Sequence, residues 1–340
     1  MNKTQGIRRL LLRWFDGHKR DLPWRRTRDP YRIWVAEIML QQTRVPTAIP
    51  YYHRFLRTFP SVKKLARARL NSVLRLWAGL GYYSRARHLH GAAKRIVRKH
   101  GGRFPHTLEE ALALPGIGPY TARAILSIAY EQPLAVVDGN VARALTRLFK
   151  LPAKDVNERG QFQSLADELV DPRRPGDFNQ ALMELGSTVC LPRIPRCADC
   201  PLEKLCAARQ AGLERKLGLR RDKRARPTTT LNVLVARQNG RLLLVREPNG
   251  VFSGLWHFPY SELRSPAGLA RQLGARRPRY VETIEHEMTA RNLVLKVYEA
   301  RTERNGAGTL PARWVRPREI ERLGVGAATR KIAKALEGLG

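Results

Sequence analysis

Cysteine is scarce in this 340-residue chain, with four residues that all lie between positions 190 and 206. A secreted fold braced by disulfides would scatter its cysteines through its loops, so their concentration points to one local site. Long apolar runs are also missing. No stretch of about 20 apolar residues is available to span a bilayer. The opening MNKTQGIRRLLLRWF breaks its apolar run at Arg13, which removes the core of a signal peptide. Acidic residues are few, 29 against 63 Lys plus Arg, for a formal charge of +34. Such an excess is uncommon in small-molecule enzymes. It suits a polyanion partner, because each cation that neutralises a phosphate releases condensed counterions. A well-solvated surface and an anionic membrane surface are the competing readings. The expectation is a soluble intracellular protein with no membrane partner, cytoplasmic if bacterial and nucleoid-associated when on DNA.

The length allows two or three domains. The first 210 residues read as almost wholly helical, with apolar residues at helical spacing in 31–43, 61–78, 84–99, 107–114, 120–130, 139–149 and 160–170. Residues 211–228 carry seven basic and two acidic residues and little apolar content, the composition of a basic linker. The period then changes. LNVLVA (231–236), a QNG turn and RLLLVR (241–246) predict a hairpin, with further strands at 279–285 and 292–300. Two helical stretches near 316–322 and 327–338 close an α+β domain over 229–340. No internal repeat is evident.

Cys190, Cys197, Cys200 and Cys206 are spaced C-x6-C-x2-C-x5-C. Four thiolates this close could hold zinc tetrahedrally or a [4Fe–4S] cluster. Two matched C-x2-C pairs would be more typical of zinc, so the spacing leans towards the cluster. Arg193, Arg196 and Lys204 lie inside the loop, within reach of phosphate.

LPGIGPYTA (114–122) is a glycine-containing turn that runs into a helix. Gly116 and Gly118 let the backbone come close to a ligand, and the helix that follows aims free N–H groups at it. That pattern can hold a DNA phosphate without reading sequence, or it can merely end one helix and start another. Asp138, in PLAVVDGNVAR, precedes a predicted helix and could be an ordinary N-cap.

The helix-hairpin-helix turn, an Asp some twenty residues later and the four-cysteine loop together resemble the endonuclease III superfamily of DNA glycosylases. That resemblance implies a mainly α, two-lobed helix-hairpin-helix glycosylase domain over 1–210, with a [4Fe–4S] loop at 190–206. It also implies double-stranded DNA as partner, a base flipped into a cleft, and a chain that acts as a monomer. Bifunctional members carry a lysine where this chain has Tyr120, and a tyrosine cannot form their Schiff base. LPWR (22–25), EIMLQQTRV (37–45), GLGYYSRAR (79–87) and VDGNVAR (137–143) narrow the resemblance to the MutY-type adenine glycosylases. These remove adenine opposite 8-oxoguanine or guanine in base excision repair. Glycosylases that release thymine or uracil from mispairs share the tyrosine but not the QQT segment, and are the alternative. A non-catalytic iron–sulfur DNA sensor is a more distant one.

Residue chemistry agrees with the resemblance. Glu37 has Ile33, Trp34, Leu40 and Gln41 as its three- and four-residue neighbours on a helix. An apolar face disfavours its ionised form and suits a general acid, whereas an exposed, salt-bridged Glu is the ordinary alternative. The resemblance implies protonation of adenine N7 by Glu37. It also implies stabilisation of the oxocarbenium ion by Asp138, as in glycoside hydrolysis, with Asn140 orienting the nucleotide or water. Tyr120 is then a pocket residue, Arg25 lines the base pocket, and Gln42 and Tyr82 wedge into the duplex. Gln41, Thr43 and Ser84, in the same motifs, join Gly116 and Gly118 as DNA-contacting residues. Tyr82 could otherwise be plain core.

FSGLWHFP (252–259) and its flanking strands resemble a Nudix-type fold, but SELRSPAGLARQLG lacks the glutamate-rich helix that holds Mg²⁺. Nucleotide hydrolysis is therefore not expected. The domain instead fits the part of the MutY-type glycosylases that inspects the base opposite adenine. These relatives commonly place a serine before a histidine in the lesion-reading loop, and the nearest segment here is Ile284–Glu285–His286. Aligned so, Glu285 replaces the serine, and its carboxylate could accept the N7–H that 8-oxoguanine has and guanine lacks. A solvent-facing strand Glu is the plain alternative.

Overall fold

The computed structural model describes residues 2–152, 159–218, 226–288, 291–302 and 310–337. The N-terminal part is helical, as α1 (Lys3–His18), α2 (Pro30–Leu40), α3 (Val45–Thr58), α4 (Val62–Arg67), α5 (Leu70–Trp77), α6 (Tyr83–Lys99) and α7 (Leu108–Leu112). It continues with α8 (Pro119–Tyr130), α9 (Gly139–Phe149), α10 (Arg159–Leu169), α11 (Pro175–Thr188) and the short α12 (Ala207–Gln210). The C-terminal part holds strands β1 (Thr228–Gln238), β2 (Arg241–Val245) and β3 (Tyr260–Ser261), then α13 (Pro266–Gln272). β4 (Ala275–Glu287), β5 (Asn292–Thr302), β6 (Ala312–Val315) and α14 (Ala327–Glu337) complete it.

Two compact units result, and they do not follow chain order. One comprises Met1–Arg67 and Arg87–Asp222; the other joins Ala68–Ala86 to Lys223–Gly340. In the first unit, Leu11 and Phe15 of α1, Leu145 of α9, Ala166 of α10 and Phe178 and Leu182 of α11 share one core. Each of these leucines and phenylalanines, fully buried, contributes roughly 1.5–3 kcal/mol. That core fixes the start of α9, which Asp138 caps by accepting from the backbone N–H groups of Asn140 and Val141.

The helix expected over 31–43 stops at Leu40, because Gln42 adopts a left-handed conformation with φ 60°. Gln41–Thr43 therefore form a turn and not a helical face. The stretch expected as one helix over 61–78 is two, α4 and α5, with a break at 68–69. The one near 316–322 is a 3-10 helix, Pro317–Arg322.

In the second unit the sheet runs β4-β5-β1-β2-β6, with β3 also paired to β1. β1 and β2 form the expected hairpin, with Gln238 opposite Arg241. Its two turn residues, Asn239 and Gly240, have φ 47° and 71°, as the hairpin-favouring mirror-image turn requires. β1 runs parallel to β5, from Thr228↔Asn292 to Arg237↔Arg301. Alternation along β1 splits the core between the two faces of the sheet. Leu231, Val233 and Val235 pack with Ile332 and Leu336 of α14, while Leu234 and Ala236 pack with Leu269 of α13 and Leu273 just past its end. Of the basic linker expected over 211–228, residues 219–225 lie outside the described residues, 211–218 form turns after α12, and Thr228 already begins β1.

Candidate active site

Three acidic or phenolic side chains come together in the first unit from three different elements. α2 is capped by Asp29, whose Oδ1 accepts from Tyr31 N at 2.9 Å, with Pro30 preorganising its first turn. Every residue from Ile33 to Met39 is buried, so Glu37 is enclosed rather than laid on an exposed face. Burial pushes the Glu37 carboxyl up to about 7; a hydrogen bond from Tyr120 pulls it down, and the nearby Asp138 pushes it up again. Tyr120 stands in the first turn of α8, half-buried, with its hydroxyl 3.3 Å from Met183 Sδ. Burial, then the negative charges of Glu37 and Asp138, hold its phenol well above the usual range, so it stays a neutral donor.

Asp138 is fixed at both oxygens. Oδ1 accepts from the N–H of Asn140 at 2.8 Å and of Val141 at 2.7 Å, and Oδ2 accepts from Asn140 Nδ2 at 3.0 Å. Asn140 is fixed in turn, its Oδ1 accepting from Arg143 Nη2 at 2.9 Å. The same guanidinium donates to Gly186 O at 2.6 Å and, through Nε, to Cys190 O at 2.9 Å. α11 approaches so closely that a Cβ at Gly186 would stand 2.7 Å from Asn140 Cβ, so only glycine fits there. A carboxyl poised near neutrality beside a carboxylate held rigid by N–H donors is the pair of groups that cleavage of a glycosidic bond needs.

Gln41 closes the α2 end of the site by donating to Thr121 Oγ1 at 3.2 Å. Thr43 is half-buried, its N–H donating to Leu40 O, and Gln42 is exposed. Arg25 is tied to Glu184 Oε2 at 3.0 Å and to Gln180 Oε1 at 3.2 Å. Arg20 holds the other oxygen of that buried carboxylate at 2.6 Å. Burial would raise the Glu184 carboxyl, but the hydrogen bonds from Arg20 and Arg25 override it and hold the group at about 2. Sequence reasoning missed Glu184, although a single acid inside the apolar stretch ALMELG was a signal.

The helix-hairpin-helix is present as α7, the turn 113–118 and α8. Gly116 has φ 75°, and a Cβ there would meet His88 Cβ at 2.5 Å. Gly118 caps α8 without a side chain, which leaves the first N–H groups of that helix to the exposed turn. Tyr82 and Ser84 lie exposed in the second unit, as does Glu285 on β4, while His286 is half-buried and points the other way along the strand. Burial, and then the charge of Lys331, lowers the His286 imidazole.

The four cysteines form no disulfide with one another and line one cavity with Arg147, Leu148 and Leu202. Arg147, buried and also missed from sequence, donates to Cys190 Sγ at 3.3 Å and to Leu191 O and Pro192 O. Among the described residues, no three His, Cys, Asp or Glu side chains converge as a single metal ion would require. Arg193, Arg196 and Lys204 are exposed around the loop.

A family model for HhH-GPD superfamily base excision DNA repair proteins matches residues 35–172, and one for NUDIX domains matches 232–335. The human adenine DNA glycosylase is 38% identical over 408 aligned positions, which cover 99% of this chain and 75% of the human protein. The chain belongs to the adenine DNA glycosylases. It is a DNA N-glycosylase of base excision repair. The Buchnera aphidicola (strain APS) member is 35% identical over 74% of this chain and 73% of its own length. Among solved structures, a thermostable thymine-DNA glycosylase has TM-score 0.58 at 29% identity, covering 62% of this chain and 97% of that one. An endonuclease III in a non-covalent DNA complex, at 20% identity and TM-score 0.53, shares the helical fold over 63% of this chain. No helix among the described residues is long and apolar enough to cross a membrane.

Proposed function

We propose that this adenine DNA glycosylase excises adenine from A·8-oxoguanine and A·G mispairs, with Glu37 as general acid and Asp138 facing the sugar. The observation that carries the reading is the enclosed Glu37 carboxyl, poised near 7 beside Tyr120 and Asp138. Without prior protonation adenine must depart as an anion, a poor leaving group. A proton delivered from Glu37 to ring N7 removes that obstacle. As the bond breaks, the Asp138 carboxylate stabilises or briefly captures the oxocarbenium ion, and water completes the hydrolysis to an abasic site. Asn140 keeps the Asp138 carboxylate in one orientation, so little reorganisation is needed as charge develops. Tyr120 offers no amine, so the backbone is left uncut.

Cys190, Cys197, Cys200 and Cys206 would hold a [4Fe–4S] cluster. The donor set fits, because four thiols line one cavity and a buried arginine donor faces Cys190. When bound, the cluster supplies four iron–thiolate bonds that tie the 190–206 loop together. The exposed Arg193, Arg196 and Lys204, and the N–H groups of the Gly116–Gly118 turn, then take DNA phosphates. Arg25, Gln41 and Thr43 border the base pocket and Ser84 the duplex, while Gln42 and Tyr82, both exposed with φ near +50° to +60°, wedge into the stack. Glu285 and His286 read the opposite base, Glu285 by accepting the N7–H of 8-oxoguanine. The working form is a monomer in the bacterial cytoplasm. The test is single-turnover release of base from duplexes carrying A·8-oxoguanine, A·G, A·T or T·G. Adenine released from the first two is expected, and release of thymine alone overturns the reading.

A further inference from the structure

Tyr82 adopts φ 50°, a left-handed conformation that costs a non-glycine residue free energy and persists only where its surroundings dictate it. Those surroundings are unusually complete. Inside the turn, Trp77 Nε1 donates to Gly81 O at 3.1 Å. The buried Arg85 lies over the rings of Trp77 and Tyr82, at 5.4 and 5.1 Å, while its Nη2 donates to Leu80 O and Gly81 O at 3.3 and 3.2 Å. Burial lowers this guanidinium only to about 10, so it remains a cation at neutral pH.

The turn is also held from outside by residues far along the chain but within the same compact unit. The Tyr83 hydroxyl donates to Val325 O at 3.0 Å and accepts from Gly79 N at 3.4 Å. On the preceding helix, α5, Leu74 packs where Gly324 has no side chain, and a Cβ there would lie 3.2 Å from Leu74 Cβ. Asn71, one turn earlier, accepts from Arg246 Nη1 at 2.9 Å. Gly324 and Val325 are themselves anchored, since Trp256 N donates to Gly324 O at 3.1 Å and Trp256 bridges to Val325. Both flanks of the turn are therefore secured by one segment, and Tyr82 lies between the two attachment points.

We propose that Gly324–Val325, acting through Tyr83 and Leu74, is a brace that sets the position of Tyr82 for adenine extrusion. Tyr83, Leu74 and Gly324 are positioning residues: they touch neither the adenine nor the sugar. The inference rests on the reading of Tyr82 as the wedge. It makes the sequence after residue 300 a determinant of how fast adenine leaves the stack, separately from any contact with the opposite base.

The test uses the full chain with substitutions Tyr83→Phe, Gly324→Ala and Tyr82→Ala, alone and combined. 2-Aminopurine beside the target adenine reports unstacking, and single-turnover rates report excision. Losing the hydroxyl's hydrogen bonds to Val325 O and from Gly79 N should slow extrusion about three- to tenfold in Tyr83→Phe, with Gly324→Ala slowed in the same step. Neither should move the pH midpoint of excision, and Tyr83→Phe should melt within a few degrees of the parent. In a Tyr82→Ala background, where nothing remains to be positioned, both should add no further loss. If Tyr82→Ala is slow but Tyr83→Phe extrudes at the parent rate, or if the losses multiply in full, the brace is overturned alone. A Tyr82→Ala protein as fast as the parent overturns the wedge reading and the brace with it.

Discussion

Asn140 holds Asp138 at both carboxylate oxygens, through its backbone N–H to Oδ1 and its side-chain amide to Oδ2. The first contact is ordinary helix capping. The second leaves no freedom of rotation in the carboxylate, and it predicts that the two residues act as a unit. Asp138→Asn should keep most of the stability of α9, because Asn caps helices nearly as well as Asp. It should nevertheless lower the single-turnover rate about 100-fold or more through loss of charge at the developing cation. Asn140→Ala should cost less alone and almost nothing further in Asp138→Asn. Full multiplication of the two losses would show that they act separately.

Glu37 predicts an exchange of activity against stability. Its carboxyl is raised from the ordinary carboxylate range to about 7 in the folded protein. The folded chain therefore keeps this proton where the unfolded chain has lost it. The stability that accompanies protonation is fully present below about pH 4.5 and is lost as pH rises to about 7. Glu37→Gln should abolish excision and yet stabilise the protein at pH 8 by up to roughly 3 kcal/mol, with little effect near pH 5. Urea unfolding at the two pH values, beside the pH–rate profile of the parent, checks both halves. The parent rate should fall as pH rises through about 7.

Tyr120→Phe should shift that profile in the less intuitive direction. The hydroxyl's hydrogen bond lowers the Glu37 pKa. Its removal should therefore move the alkaline limb to higher pH while the maximal rate falls modestly, about tenfold or less. A downward shift would mean that Tyr120 does not donate to Glu37.

These groups differ in how far they could be read from sequence. Asp138 was legible because a cap precedes its helix, and Glu37 because three of its four three- and four-residue neighbours are apolar. The β1–β2 hairpin was legible from its Asn-Gly turn. The end of α2 was not, since nothing local in EIMLQQT marks Gln42 as left-handed; its backbone belongs to the exposed turn. Glu184, Arg143 and Arg147 were invisible for a different reason. The partners of Glu184 and Arg147, and Cys190 and Gly186 for Arg143, lie 43 or more residues away in sequence, and a charged residue on a helix reads as solvent-facing until its neighbours in space are known. The parallel pairing of β1 with β5 joins residues more than sixty positions apart, beyond any periodicity argument.

Glu184 yields a prediction about folding. Its carboxyl is buried and held at about 2, with the Arg20 and Arg25 guanidinium groups overriding the burial. A depressed pKa gives stability that is present above the unfolded value of about 4.5 and lost as pH falls towards 2. Glu184→Gln should destabilise the first unit by about 3 kcal/mol at pH 7, and leaving two cations without a carboxylate places it among the costlier polar substitutions. The difference from the parent should narrow between pH 4.5 and 3 in denaturant titrations. A constant difference would assign the loss to packing instead.

The central claim is that adenine leaves by glycosidic hydrolysis alone, with Tyr120 shaping the pocket instead of attacking the sugar. The most direct measurement incubates the protein with a duplex carrying one A·8-oxoguanine pair and divides the product between samples with and without hot alkali. Scission of the adenine strand only after alkali is the predicted result. A strand break without alkali would show that an amine of this chain attacks the sugar and would contradict the account.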